Sequence, residues 1–164
     1  MPSFDLTSKV DLQEVDNAVN QARKEIGQRY DFKGSKAAID FDRTEGTLTL
    51  TADDEFKMQA LWEVLEIRLA RRKVPLKNLK RGEIERGAND TVRRAVTLQQ
   101  GIPTEAGREI VKFLKERKLK KVQPAIQGDQ LRISSPSRDE LQGVIALLRE
   151  QDFGVELQFG NYRE

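Results

Sequence analysis

Segments of period two and segments of period 3.6 follow one another in a fixed order along this chain, and the order is written twice. In residues 3–10, Phe4, Leu6 and Val10 alternate with Ser3, Asp5, Thr7 and Lys9, the pattern of a half-buried strand. Asp11 stands at a helix N-cap position with Glu14 three residues on, a capping box. Leu12, Val15, Val19, Ala22 and Ile26 then form one apolar stripe of a helix ending near 27–29. After a turn over 31–35, Ala37, Ile39 and Phe41 alternate with Lys36, Ala38, Asp40 and Asp42. Glu45-Gly46 turns the chain back, and Leu48 and Leu50 alternate with Thr47, Thr49 and Thr51, completing a hairpin. Asp53 or Asp54 caps a second helix with Met58, Leu61, Leu65 and Leu69 inside. Arg71-Arg72-Lys73 lies at its negative dipole end and Pro75 stops it. Residues 76–86 read as the strand that closes this first set.

The second set begins after Gly87-Ala88-Asn89-Asp90, with a strand over 91–100 in which Val92, Val96 and Leu98 share a face. Thr104 is expected to cap a helix with Ile110, Val111 and Leu114 inside. Residues 120–127 and 130–134 form a hairpin around Gly128-Asp129, and Ser137 with Glu140 opens a last helix carrying Leu141, Val144, Ile145 and Leu148. Val155, Leu157 and Phe159 are expected in the final strand. Gly107 and Gly143 fall inside helices, where close packing on a sheet is the expected reason. The order β-α-β-β-α-β, twice, predicts an α+β chain of two ferredoxin-like domains by internal duplication, residues 1–86 and 91–164. Each would be a four-stranded antiparallel sheet with two helices on one face.

Composition narrows the chemistry. The 164 residues contain no cysteine and no histidine. Thiolate nucleophiles, disulfides, imidazole bases, Ser-His-Asp triads and Cys- or His-ligated metals are therefore excluded. Any catalysis would rest on Asp, Glu, Lys, Ser, Thr or Tyr, with an all-carboxylate Mg²⁺ site at Asp40, Asp42, Asp53, Asp54 and Glu55 as one such arrangement, and no metal or cofactor is expected. No apolar run is long enough to span a membrane. Residues 1–10 lack the layout of a signal peptide, so a cytoplasmic protein is expected. No G-x-G-x-x-G occurs, and Lys33-Gly34-Ser35 lacks the upstream glycine of a P-loop.

The balance thus leans from catalysis to binding, and the charge is distributed accordingly. Residues 1–65 carry 8 basic and 13 acidic groups, residues 66–94 carry 10 and 4, and residues 95–164 carry 11 and 10. The basic middle offers Arg71, Arg72, Lys73, Lys80 and Arg81 to phosphate, and a helix end adds Lys118, Lys120 and Lys121. The densest unusual stretch is Arg29, Tyr30, Asp31, Phe32, Lys33, Gly34 and Ser35, which joins cations, aromatics and a glycine in one loop. Phosphate contact and base stacking there compete with a plainer arrangement, Phe32 plugging the core beneath hydrated Arg29 and Lys33. The outward sheet faces are Lys36, Ala38, Asp40, Asp42, Thr47, Thr49 and Thr51 in the first set, and Lys121, Gln123, Ala125, Gln127, Gln130, Arg132 and Ser134 in the second. Neither holds an aromatic platform of the RNA-recognition kind.

Several long motifs carry a resemblance across the whole chain. These are Pro2-Ser3-Phe4-Asp5, Asp11-Leu12-Gln13-Glu14-Val15, Asp31-Phe32-Lys33-Gly34-Ser35, Gln100-Gly101-Ile102, Ala125-Ile126-Gln127-Gly128, Arg138-Asp139-Glu140-Leu141-Gln142 and Asn161-Tyr162-Arg163. In these the chain resembles the YajQ family of bacterial proteins. It departs from the family at Tyr30, often Phe; at Pro136-Ser137, often a Lys pair; and at Gly160, often Lys. The resemblance implies two ferredoxin-like domains that exchange the strands over 3–10 and 91–100. It also implies non-catalytic nucleotide binding, with cyclic-di-GMP or another purine nucleotide as ligand and signalling through a protein partner such as a transcription regulator. RNA or tRNA binding along residues 66–94 is the alternative it leaves, with a Mg²⁺-dependent carboxylate enzyme as a further one.

Overall fold

Amphipathic stripes place the helices, and side-chain caps fix where most of them begin. The computed structural model describes residues 1–119 and 121–164. Its elements are β1 (Ser3–Thr7), α1 (Leu12–Gln28), β2 (Ala38–Asp42), β3 (Thr47–Ala52), α2 (Glu55–Arg71), β4 (Leu79–Arg81), β5 (Glu85–Arg86), β6 (Val92–Leu98), α3 (Thr104–Glu116), β7 (Gln123–Gln127), β8 (Gln130–Ser134), α4 (Arg138–Arg149) and β9 (Gln158–Arg163). Asp11 accepts from the Gln13 and Glu14 amides, Asp54 from Lys57 and Ser137 from Glu140, each satisfying free donors of a first turn. Thr104 does not cap α3. Pro103 precedes the helix with extended ψ and no side-chain bond, and Thr104 is its first helical residue. Among the described residues, no helix is long and apolar enough to cross a membrane.

Two compact units form, both ferredoxin-like: residues 10–99, and residues 1–9 together with 100–164. The 10–99 unit has the antiparallel sheet β2-β3-β6-β4, with β5 also paired to β6. Its register sets Asp40 opposite Thr49, Thr49 opposite Ala95, and Thr51 opposite Arg93. Helices α1 and α2 cover one face, burying Val15, Val19, Leu48, Leu50, Leu61, Leu65, Leu69 and Val96. The Arg23 guanidinium ties α1 to the Ile39 carbonyl at 2.6 Å. The strand expected over 76–86 is instead two short pieces. Gly82 to Ile84 interrupt it, with the Gly82 amide donating to the Ala95 carbonyl at 2.8 Å.

The other unit has the antiparallel sheet β7-β8-β1-β9, with β1 between β8 and β9. Helices α3 and α4 pack on Phe4, Leu6, Leu131 and Ile133. The opposite face carries Asp5 against Arg132, Asn161 and Arg163, an arrangement that alternation alone did not announce. The last strand runs later than expected. Val155 is buried outside any strand, and β9 occupies Gln158–Arg163 with its register shifted between the partners of Ser3 and Asp5. Of the two helical glycines, Gly107 is buried beneath Leu131 and Ile126, whereas Gly143 is exposed with open space around it, so packing does not explain Gly143.

Gly101, part of the Gln100-Gly101-Ile102 motif, has a structural role that sequence patterning did not assign. It lies at φ +83, its amide donates to the Ser8 carbonyl at 2.6 Å, and an added Cβ would fall 2.6 Å from that of Asp129. Backbone strain and a clash then act together. Gly101→Ala is expected to cost about 1–3 kcal/mol, read as a lower urea midpoint at unchanged slope.

Candidate functional site

The loop after α1 is held at both ends and, between them, at Asp31 and Phe32. The Arg29 amide closes the helix onto the Glu25 carbonyl at 2.9 Å, and Tyr30 to Phe32 form one 3₁₀ turn. Phe32 enters the 10–99 core, 4% exposed. Gly34, at φ +73, reverses the chain. Ser35 then donates its hydroxyl to Asp53, whose other oxygen accepts the Lys36 amide at 3.1 Å. Lys57 reaches across from α2 to the Asp31 carbonyl.

Between those anchors stand Tyr30, 88% exposed, and the exposed Lys33. Arg29 is already committed. Its Nε and one terminal nitrogen meet Asp31 at 3.0 and 2.7 Å, another meets Glu25 at 3.4 Å, and its plane lies 5.3 Å from the Phe32 ring. The Asp31 hydrogen bond holds the Arg29 pKa above its ordinary value, and the same bond holds the Asp31 carboxyl below its own. Hydrogen bonds from Ser35 and the Lys36 amide likewise lower Asp53. The loop is therefore built of fixed charges. Arg29 shapes it, while Tyr30 and Lys33 face outward from it.

The other cations are scattered. Arg71 and Lys73 are exposed at the end of α2, but Arg72 meets Glu14 at 3.6 Å and the neighbouring Arg68 meets Glu25 at 2.8 Å. Strand pleating divides the rest. Lys80 pairs with Thr97 on the open sheet face, while Arg81 pairs with Val96 on the helix side and stacks 4.9 Å over Trp62. Lys80 and Arg81 thus lie on opposite faces of the 10–99 sheet. Lys118 and Lys121 are exposed in the other unit, and Lys120 lies outside the described residues.

The considered carboxylate site does not assemble. Asp54 caps α2, Asp53 holds the loop, Asp42 accepts the Glu45 amide at 3.1 Å, and Asp40 sits exposed on β2. Among the described residues no acidic trio could hold a metal ion.

Sequence reasoning left some residues out of the site. Phe56, 82% exposed, is the neighbour of loop-binding Lys57; its place outside the 58–61–65–69 stripe was the available signal. Lys36 was read as an outward residue but not as part of a site. Its ammonium donates to the Asn89 carbonyl at 2.9 Å, a contact across 53 residues that no local pattern reveals.

The family described as nucleotide-binding protein YajQ-like matches residues 2–163. A protein of Trichlorobacter lovleyi is 49% identical over 164 residues, one of Geotalea uraniireducens 50%, and one of Magnetococcus marinus 51%, in each case covering the whole of both chains. Each of the three is named a nucleotide-binding protein.

Proposed function

Since the chain belongs to the YajQ-like family of nucleotide-binding proteins, we propose that it binds a purine nucleotide without turning it over, at the loop over 29–35. The observation that carries this reading is Tyr30, an aromatic left 88% exposed on a loop whose backbone is pinned on both sides. A ring held out in this way loses little freedom when a base stacks on it, and Lys33 stands three residues on to meet a phosphate. Arg29 acts as a positioning residue, because Asp31 and Glu25 already occupy it. Cyclic-di-GMP is the first ligand to test, and ligand occupancy would alter affinity for a protein partner of the transcription-regulator kind; both come from the family resemblance.

A small ligand is favoured over RNA because Arg68 and Arg72 are paired with glutamates and Lys80 and Arg81 point to opposite sheet faces. Binding of single-stranded RNA would show a salt slope of about −0.7 per phosphate contacted, whereas a single mononucleotide gives a shallow one.

Stacking on an aromatic is worth about 1–3 kcal/mol per base. Tyr30→Ala is accordingly expected to weaken guanine-nucleotide binding by roughly 5- to 150-fold in a fluorescence-anisotropy titration, with Tyr30→Phe retaining affinity. Equal affinities in Tyr30→Ala and the unaltered protein reject the loop as the site.

A further inference from the structure

The open face of the 10–99 sheet carries a cavity of about 420 Å³ where the end of the loop meets the turn between β5 and β6. Its lining includes two cations, Lys36 and Arg93, together with Thr51, Thr91 and Asn89, and contains no carboxylate. That sets it apart from the adjoining hollow, which holds Asp53, Asp54, Glu55 and Asp90.

The turn wall is firmly made. Asn89 and Asp90 take φ of 55° and 59°, and the Thr91 amide donates to the Ala88 carbonyl at 3.1 Å, as in a type I′ turn. The Thr91 hydroxyl also donates to that carbonyl, at 2.6 Å. Sheet register brings Arg93 directly opposite Thr51. Lys36 donates to the neutral Asn89 carbonyl and lies within electrostatic reach of the Asp53 carboxylate, and Arg93 has Glu85 at 3.8 Å in a pair that is 56% and 68% exposed. An exposed pair of that length is worth little, so an incoming anion displaces it at small cost.

We infer that this cavity is a phosphate subsite, with Lys36 and Arg93 supplying charge and Thr51 a hydroxyl donor to the phosphoryl oxygens of the ligand. The inference rests on the nucleotide-binding reading and extends it from the loop to the sheet face. Ser35 and Lys36 link the two, since Asp53 holds both. The ligand class is a phosphate ester of a nucleoside, and free phosphate or pyrophosphate is the other source of the same chemistry.

Calorimetry with GTP, pyrophosphate and guanosine on the full chain tests it. Lys36→Gln and Arg93→Gln should each weaken GTP binding by roughly tenfold or more, as loss of a charge-assisted hydrogen bond requires. Guanosine binding should be unchanged in both variants. Glu85→Gln, which frees Arg93, should tighten GTP, and Lys36→Arg should retain it. All three positions are exposed, and circular dichroism checks that each of the four variants folds.

If GTP binds in a Tyr30-dependent way but neither glutamine variant weakens it, the subsite is overturned and the nucleotide reading stands. If pyrophosphate binds and is lost in the variants while GTP gains nothing from its base, the oxyanion site stands and the nucleotide reading falls. If neither GTP nor pyrophosphate binds, both fall.

Discussion

Phe4→Ala should destabilise the unit made of residues 1–9 and 100–164 by about 3–5 kcal/mol, the usual cost of emptying an aromatic site in a core. Phe4 is fully buried on β1, the strand between β8 and β9, and its ring lies 6.0 Å from Phe159 and 6.2 Å from Tyr162. A single substitution near the start of the chain would thus remove contacts made more than 150 residues later. Domains hold only about 5–15 kcal/mol in total, so the loss takes a large part of that unit's margin. Urea unfolding followed by amide exchange will show it. Protection should fall in β7, β8 and β9 and persist in β2 and β3. Loss of protection first in β2 and β3 would contradict the pairing of β1.

Asp5→Ala is the second large effect, expected at about 1–3 kcal/mol. The Asp5 side chain is 7% exposed, Arg132 Nε donates to it at 3.0 Å, and Asn161 donates to its other oxygen at 2.5 Å. Removing the carboxylate leaves Arg132 without its anion, which costs about 3–5 kcal/mol when the cation is fully buried. Arg132 is 30% exposed and recovers part of that from water, hence the lower range. Arg163, at 3.8 Å and 44% exposed, contributes far less, and Arg163→Gln should change stability by under about 0.5 kcal/mol.

The same group sets an acid dependence. Burial pushes the Asp5 carboxyl up, but the Arg132 and Asn161 hydrogen bonds and the Arg132 and Arg163 charges outweigh it, and its pKa lies below the ordinary value. A carboxylate depressed on folding stabilises fully above its unfolded pKa of about 3.9 and loses that contribution as pH falls through the folded value. The unaltered protein should therefore lose stability below about pH 4 more steeply than Asp5→Ala. Parallel stability curves would mean that Asp5 titrates alike in both states.

Much of this architecture was written locally. The α1, α2 and α4 caps and all four helical stripes were legible because a cap and its amides lie within three residues, and a stripe within two turns. What failed was non-local. Phe159 and Tyr162 both approach Phe4 although they are three apart, an odd spacing that strict alternation sends to opposite faces. Asn161, at φ +53 where the register shifts, is the extra residue that permits it. Ser3 and Asp5 read as a solvated face and are both buried.

The candidate loop was legible in its residue types, since Phe32 inside and Lys33 outside follow from polarity. The engagement of Arg29 by Asp31 was not drawn from the same seven residues, although two opposite charges two positions apart signalled it. The phosphate cavity could not be read at all, because Arg93 meets Thr51 only through the β3–β6 register and Lys36 joins them through its bond to Asn89.

The function we propose for this chain is nucleotide binding without catalytic turnover. Its most direct test is calorimetric titration of the unaltered protein with cyclic-di-GMP and GTP, followed by chromatography of the recovered ligand. A saturating heat with one ligand per chain, and ligand recovered intact, is the predicted result. No heat with either nucleotide at tens of micromolar protein, or recovery of hydrolysed ligand, would contradict it.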